Sequence, residues 1–383
     1  MTNDRREEST SRHRLSLDWE IPQIRFINCD DVIEEVHRFD DLKIIPSRIT
    51  KGDRGIPRHR DDPGYECSDL KSWQWMNAGS VFIPGYGLLD LSDKAKQQLS
   101  GHFKVRWSEA FRYMPASCMC SYLREYLRYL PSEESTVVKA VARSYKENEE
   151  KETASSNGIL RGVVSPGYHS IPDSRVMDRL RRVQGSALDE MAFLQHKITE
   201  HGSHSILVYR EPVELAGPST FGVGDAGYFG ARARNSDVGT YALSLVAWLI
   251  RHFCSNGMIF GRKGETLLYR QHREIEDAEL DALITEGFRA MAASKDESVA
   301  SVQKLHSIKI YDPEAELKSF LRGQPKMLQD AAIEAYHQEE MPTAFGVLQA
   351  ITRTAMAMRS DPDRQYDLEQ IAGSYAETAL KAA

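Results

Sequence analysis

Nucleophilic catalysis needs a base beside an activated hydroxyl or thiol, and one stretch of the chain offers that combination: His252-Phe-Cys254-Ser-Asn256-Gly257. On a strand, where side chains alternate between faces, His252 and Cys254 would share one side. The competing reading is a buried cysteine followed by an Asn-Gly turn, and it is preferred because free cysteine is commonly a core residue. Metal chemistry is less well served. Cys118-Met-Cys120 is spaced too closely for the usual zinc pair, Cys29, Cys67 and Cys254 stand alone, and no His-Glu-x-x-His, paired-aspartate or calcium-loop pattern occurs. His201-Gly-Ser-His204 reads as a polar connection after a helix, with its histidines on the surface. Gly222-Val-Gly224-Asp-Ala-Gly227 satisfies the dinucleotide-binding spacing by letter, but the following YFGARAR reads as strand where that fingerprint needs a helix, so a hairpin turn is expected. No phosphate-loop lysine pattern occurs, which disfavours a nucleotide-hydrolysing engine.

The remaining constellation is basic and aromatic. Arg161, Arg175, Arg179, Arg181 and Arg182 cluster around a turn and helix at 165–184, with Tyr168 and His169 in the turn itself. Arg232 and Arg234 alternate on an expected strand that also carries Phe229, and alternation puts both guanidinium groups on one face. Arg251, Arg262, Lys263, Arg270 and Arg273 follow. Guanidinium groups hold phosphates bidentately, and exposed aromatics stack on unpaired bases. Such a mixture suits a single strand better than a duplex reading head. The expected binding residues are Arg161, Tyr168, Arg175, Arg179, Arg182, Phe229, Arg232, Arg234, Arg251, Arg262 and Lys263.

The elements that must position these groups fall into four parts. Residues 1–14 read as a disordered tail, and 15–135 as a mixed region in which KGDRGIPRHRDDPGYE (51–66) is loop. There Ser92 can cap a helix through Ala95 and Leu99. A clearer helix carries Met119, Tyr122, Leu123, Tyr126, Leu127 and Leu130 as a core stripe, until Pro131 stops it. Residues 136–273 read as a sheet-rich core. TVVKAVARSY (136–145) and ILRGVV (159–164) form a hairpin around the charged stretch 146–157, Asp173 or Ser174 caps a helix, and 205–211, 227–233 and part of 238–261 supply further strands. From 274 to 383 the pattern turns helical. One helix carries Ile275, Leu280, Leu283, Ile284, Phe288 and Met291, Asp312-Pro313 opens another in cap-then-proline order, and three more follow near 325–339, 342–358 and 364–381. The expected fold is α+β, a mixed or antiparallel sheet with flanking helices and a helical C-terminal part as bundle or cover.

Charge is distributed along the same divisions. The whole chain of 383 residues has 49 Lys and Arg against 56 Asp and Glu, a net charge of −7, which argues against indiscriminate coating of nucleic acid. The sheet-rich part alone is basic (+4 over 156–273), while 1–155 carries −2 and 274–383 carries −9. Screening beyond about 8 Å at physiological salt lets a local positive surface act despite an acidic total. The longest apolar run, YALSLVAWLI (241–250), is shorter than the roughly 18 residues of a membrane helix, so no membrane partner is expected. The polar N-terminus fits neither a secretory signal nor a transit peptide, and five scattered cysteines make no disulfide framework. Both suggest a cytoplasmic protein.

Several blocks occur in a familiar order: LDLSDKAKQQL (89–99), LRGVVSPGY (160–168), Asn235-Ser-Asp-Val-Gly239 leading to Arg251-His-Phe-Cys-Ser-Asn-Gly-Met258, and TAFGVLQAIT (343–352). In these blocks the chain resembles the phage/plasmid-like proteins of domain-of-unknown-function family 932, over about residues 75–375. The Asn-Ser-x-x-Gly to Cys-x-Asn-Gly-Met stretch is the most specific of them. The resemblance implies carriage on mobile elements, with work in DNA recombination, replication or host conflict, and it carries no catalytic residue over. The expectation is a non-catalytic protein without cofactor that binds single-stranded nucleic acid, DNA foremost, and that can form a homo-oligomer. Two alternatives stand beside it: an enzyme on a nucleic acid or nucleotide centred on Arg251, His252, Cys254 and Asn256, and an interaction factor whose acidic helices bind a basic partner.

Overall fold

The computed structural model describes residues 26–27, 29–39, 42–50, 73–75, 79–83, 86–102, 113–129, 135–145, 156–183, 190–218, 224–251, 257–260 and 266–383. The fold is α+β, built on two sheets. The first sheet runs in the order β1 (Leu42–Thr50), β5 (Ser135–Ser144), β6 (Gly158–Val164), β4 (Gly87–Leu91), β3 (Ser80–Ile83), β2 (Gln74–Trp75). Only β4 and β6 pair parallel. The expected hairpin of 136–145 with 159–164 is present as β5 and β6. Its mouth is fastened to β4, where buried Asp90 Oδ2 accepts from Tyr145 Oη at 2.6 Å and from Ser156 Oγ at 2.7 Å.

Helices α2 (Asp93–His102) and α3 (Ala116–Tyr129) cover one face of this sheet. Alternation on the strands and helical spacing bring Val81, Leu89, Leu91, Ala140, Ala142 and Leu160 against Ala95, Leu99, Met119 and Leu123 in one core. Ser92 caps α2 as its position predicts: its Oγ accepts from the Ala95 N–H at 3.0 Å and donates to the Arg161 carbonyl at 2.8 Å. The expected α3 stripe needs one correction. Met119 and Leu123 are buried but Tyr122 is 42% exposed, while Leu130 and the side chains of Tyr126 and Leu127 lie outside the described residues.

The second sheet is antiparallel throughout and runs β7 (Met191–Ile198), β8 (Ser203–Tyr209), β10 (Gly224–Asn235), β11 (Leu243–Arg251), β12 (Gly257–Phe260). Two shorter strands complete it, β9 (Val213–Pro218) on β10 and β13 (Thr266–Arg270) on β11. Gly224 and Gly227 lie on β10 itself, which pairs antiparallel with β9, so strand follows them where a dinucleotide loop needs a helix; Gly222 lies outside the described residues. The His201–His204 segment differs from its expected setting. It joins two strands, β7 and β8, and His204 is fully buried on β8.

Helix α1 (Cys29–Phe39), α4 (Asp173–Val183) and the C-terminal helices α5 (Asp277–Ser307), α6 (Pro313–Phe320), α7 (Lys326–His337), α8 (Ala344–Ala357) and α9 (Pro362–Ala382) complete the chain. The cap-then-proline signal holds twice: Asp312 Oδ1 accepts from Ala315 N–H at 2.9 Å, and Asp361 Oδ1 from Arg364 N–H at 3.1 Å, each before a proline. The helical part is a cover and not a separate bundle, since Phe229, Ala231, Leu245, Ala247 and Leu249 of the sheet share one core with Leu280, Ile284, Met291, Phe345, Leu348 and Tyr375. No helix among the described residues is long and apolar enough to cross a membrane. Residues 1–14, 51–66, 146–155, His252, Cys254, Asn256, Arg262 and Lys263 lie outside the described residues, as does the side chain of Arg182 on α4.

Candidate anion-binding cleft

Alternation on β10 does set Arg232 and Arg234 on one face, as the sequence predicts, but that face is covered by α9. Arg232 is ion-paired with fully buried Glu369 and donates through Nη2 to the Pro362 carbonyl at 3.0 Å. Trp248 Nε1 and Gln365 Nε2 donate to the same carboxylate at 3.2 and 2.9 Å. Burial pushes the Glu369 carboxyl up, and these three partners oppose it. Arg234 lies with its guanidinium 3.6 Å from the Tyr366 ring centre and 4.6 Å from that of Tyr241. Beside them, His204 Nε2 stands 3.1 Å from Asp363 Oδ1 and 3.0 Å from Tyr241 Oη.

The other expected binding residues are also engaged. Phe229 has the opposite parity to Arg232, so it points into the main core and offers no surface to a base. Tyr168 is buried, not exposed. Its hydroxyl donates to the Ser236 carbonyl at 2.5 Å and its ring stacks on His272. Arg175 donates to Asp277 Oδ1 at 2.7 Å and to the Ile275 carbonyl at 2.8 Å, while Arg179 is ion-paired with Asp277 and Asp281, so the pair fastens α4 to the start of α5. Arg251 points to the opposite face from Arg232 and donates to Glu339 Oε2 at 2.9 Å. Of the expected set, the structure leaves Arg161 beside open space.

That space is a cleft of about 550 Å³ where the two sheets meet. Arg143, Ile159 and Arg161 line it from the first sheet, His196, Lys197 and Ile198 from edge strand β7, Thr199 and Glu200 from the following turn, and Ser92, Ser360 and Pro362 from helix boundaries. Two β-bulges shape it. In the β5–β6 pairing Arg161 is the extra residue between Leu160, opposite Ala142, and Gly162, opposite Val141. In the β7–β8 pairing Leu194 is the extra residue, which shifts the alternation before His196 and Lys197. A bulge re-aims side chains and is common beside functional sites. Here it turns an arginine away from the regular ladder of β6.

Among the described residues, three cations, Arg143, Arg161 and Lys197, and one carboxylate, Glu200, line the cleft. Arg161 Nη2 donates to the Thr199 carbonyl at 2.7 Å, and Nη1 lies 3.9 Å from Asp237 Oδ2, beyond a tight ion pair. Lys197 Nζ donates to the Arg359 carbonyl. Burial, then the nearby Arg359 and Arg232 guanidinium groups, hold the Lys197 ammonium below the usual lysine range. Glu200 is pushed up by burial and by Asp93, and accepts from the Lys94 backbone N–H in the first turn of α2. His196 is held down at about 4 by burial and by His204, so it is neutral at pH 7. Its Nδ1 is 2.9 Å from Ser205 Oγ and its Nε2 is buried without a partner. The Ser205–His196 pair has the spacing of a nucleophile and base, yet Ser205 is buried and does not line the cleft. Among the described residues the arrangement suits binding of an anion better than attack on one.

Alternation and composition found Arg161 but missed Arg143, Lys197 and His196. The signal that could have found Lys197 is its place on a polar-ended strand, QHKI (195–198), after an apolar start, MAF (191–193). No protein-family model, curated protein or solved structure matches the chain.

Proposed function

We propose that the protein binds single-stranded nucleic acid, DNA foremost, without catalysis, and that the phosphate contacts are made in the cleft at Arg143, Arg161 and Lys197 and not on the α9-covered face of β10. The observation that carries this reading is the gathering of Arg143, Arg161 and Lys197 around one recess at the junction of two sheets, with a half-buried lysine already crowded by other cations. An anion there would relieve that crowding. A flexible single strand can turn a phosphate into a recess of this size, whereas a rigid duplex holds its phosphates on a convex surface. The mobile-element setting, in recombination, replication or host conflict, comes from the resemblance alone. The test is an electrophoretic shift of labelled single-stranded and duplex DNA at about 50 mM salt. Single strands should bind more tightly, with log K falling against log salt at about −0.7 per phosphate contact. No shift at low salt, or a duplex preference, contradicts the proposal.

A further inference from the structure

Antiparallel pairing puts Lys197 of β7 opposite His204 of β8, and His204 opposite Arg234 of β10. Residues directly opposite share a face, so the three form one row, with Arg232 two residues along β10 on the same side. The neighbours of Lys197 are answered. Glu369 takes Arg232, Asp363 takes His204, and Arg234 lies against the rings of Tyr241 and Tyr366. Lys197 itself donates to the Arg359 carbonyl and, among the described residues, has no carboxylate in ion-pair contact, whereas Lys96, Lys318 and Lys381 each have one. Burial, then the Arg359 and Arg232 guanidinium groups, disfavour its charged form. A lysine desolvated beside other cations keeps more of its neutral, nucleophilic form.

A second group of the cleft is perturbed in the opposite sense. Glu200 stands three residues after Lys197, in the turn that ends β7, and lines the same cleft of about 550 Å³. Burial, then Asp93, pushes its carboxyl up toward the protonated form, against Lys96, Arg161 and the Lys94 backbone N–H. Condensation of an amine with an aldehyde needs a neutral amine to add to carbon and an acid to release water. Surroundings that push two titratable groups apart separate such roles.

We infer that the cleft presents Lys197 as a reactive amine to an aldehyde, which it captures as an imine while Glu200 supplies the proton that releases water. The inference goes beyond strand binding and does not depend on it. The Nζ lone pair adds to the carbonyl carbon, the oxygen gains a proton and Nζ loses one, leaving a carbinolamine. Its C–O bond then breaks as Glu200 protonates the departing hydroxyl, the nitrogen lone pair closes the C=N bond, and the iminium proton returns to the Glu200 carboxylate. One amine and one aldehyde give one imine and one water. The capture is reversible and turns nothing over. Two sources carry the group: a free small aldehyde, or the ring-opened sugar of an abasic nucleotide within a strand.

The experiment incubates the full-length protein at neutral pH with sodium cyanoborohydride, which reduces an imine to a stable secondary amine, and locates the adducts by peptide mass spectrometry. Glyceraldehyde serves as the free aldehyde, and an oligothymidylate with a single abasic nucleotide as the strand. With at least one probe, Lys197 should be modified about tenfold or more faster than the exposed Lys304 and Lys309. Capture of glyceraldehyde, of the strand or of both assigns the source. Lys197→Arg, which keeps the charge, should abolish the fast adduct. Glu200→Gln should slow it about tenfold or more while the melting temperature holds, and an unchanged rate there overturns the role of Glu200. If a variant misfolds, the wild-type peptide map decides alone. Modification of Lys197 no faster than that of Lys304 and Lys309 with either probe overturns the inference. That result leaves strand binding standing, since an intact strand carries no aldehyde. Capture of glyceraldehyde by a protein that binds no strand upholds the inference and overturns strand binding.

Discussion

Arg232 on β10 and Arg161 on β6 are both buried arginines on neighbouring sheets, yet their surroundings differ in kind. Arg232 meets a buried carboxylate, a carbonyl and a tyrosine ring, all supplied by α9. Arg161 sits on a bulge, has a carbonyl partner and a carboxylate held off at 3.9 Å, and faces a cleft with two further cations. An arginine whose charge is answered within the fold is part of its architecture. One whose charge is only partly answered, beside space, is available to a ligand. Alternation tells which face a side chain takes but not what covers that face, and here the cover comes from a helix about 130 residues further on.

The largest expected effect is on the architectural side. Arg232→Met should destabilise the protein by about 3–5 kcal/mol, because it strands the buried Glu369 carboxylate. Joining it with Glu369→Met should recover much of that loss, as chemical denaturation would show. A single variant within about 1 kcal/mol of wild type would mean the pair is solvated, and the comparison with Arg161 would fail. Next is Asn235→Ala. Its Nδ2 donates to the Ile171 carbonyl and to Asp173 Oδ1, both at 2.7 Å, tying β10 to α4, and the loss should be about 1–3 kcal/mol.

Acid should weaken the fold in a defined window. Burial holds His196 and His272 at about 4, against an ordinary value of 6.5. The unfolded chain therefore takes up protons between these limits while the folded chain does not. Stability is full above about pH 6.5 and falls as the pH drops toward about 4. Melting temperatures across that range should slope downward, and the slope should flatten in His272→Gln. The smallest effect is at the exposed end of the α4–α5 fastening, where Asp277→Asn should leave the melting temperature close to that of wild type, since exposed pairs are screened. A larger loss would place this pair with Arg232 among the architectural charges.

Much of this was legible in the chain, and for identifiable reasons. Ser92, Asp312-Pro313 and the β5–β6 hairpin were readable because caps and alternation are local. The shared face of Arg232 and Arg234 was readable too. Their partners were not, because Glu369 and Tyr366 belong to α9, far along the chain, and nothing local assigns that helix to that face. Arg175 with Arg179 and Asp277 with Asp281 each stand four residues apart, a matched spacing visible in sequence, yet only packing shows that the two helices meet. The burial of Tyr168 follows from His272 and Ser236, which close around it from distant segments. The cleft was the least legible feature. It depends on two bulges, and the extra residue of a bulge changes which way later side chains point without leaving a mark in composition.

If the cleft, and not general positive surface, holds the nucleic acid, a charge reversed in the cleft should matter far more than one reversed elsewhere. Lys197→Glu and Arg289→Glu make the same change of charge, the first in the cleft and the second on the exposed outer side of α5. Titration of a labelled single strand into each folded variant at low salt separates the two sites. Lys197→Glu should weaken binding about tenfold or more while Arg289→Glu stays within about twofold of wild type. Equal losses in the two variants, or undiminished binding by Lys197→Glu, would contradict binding in the cleft.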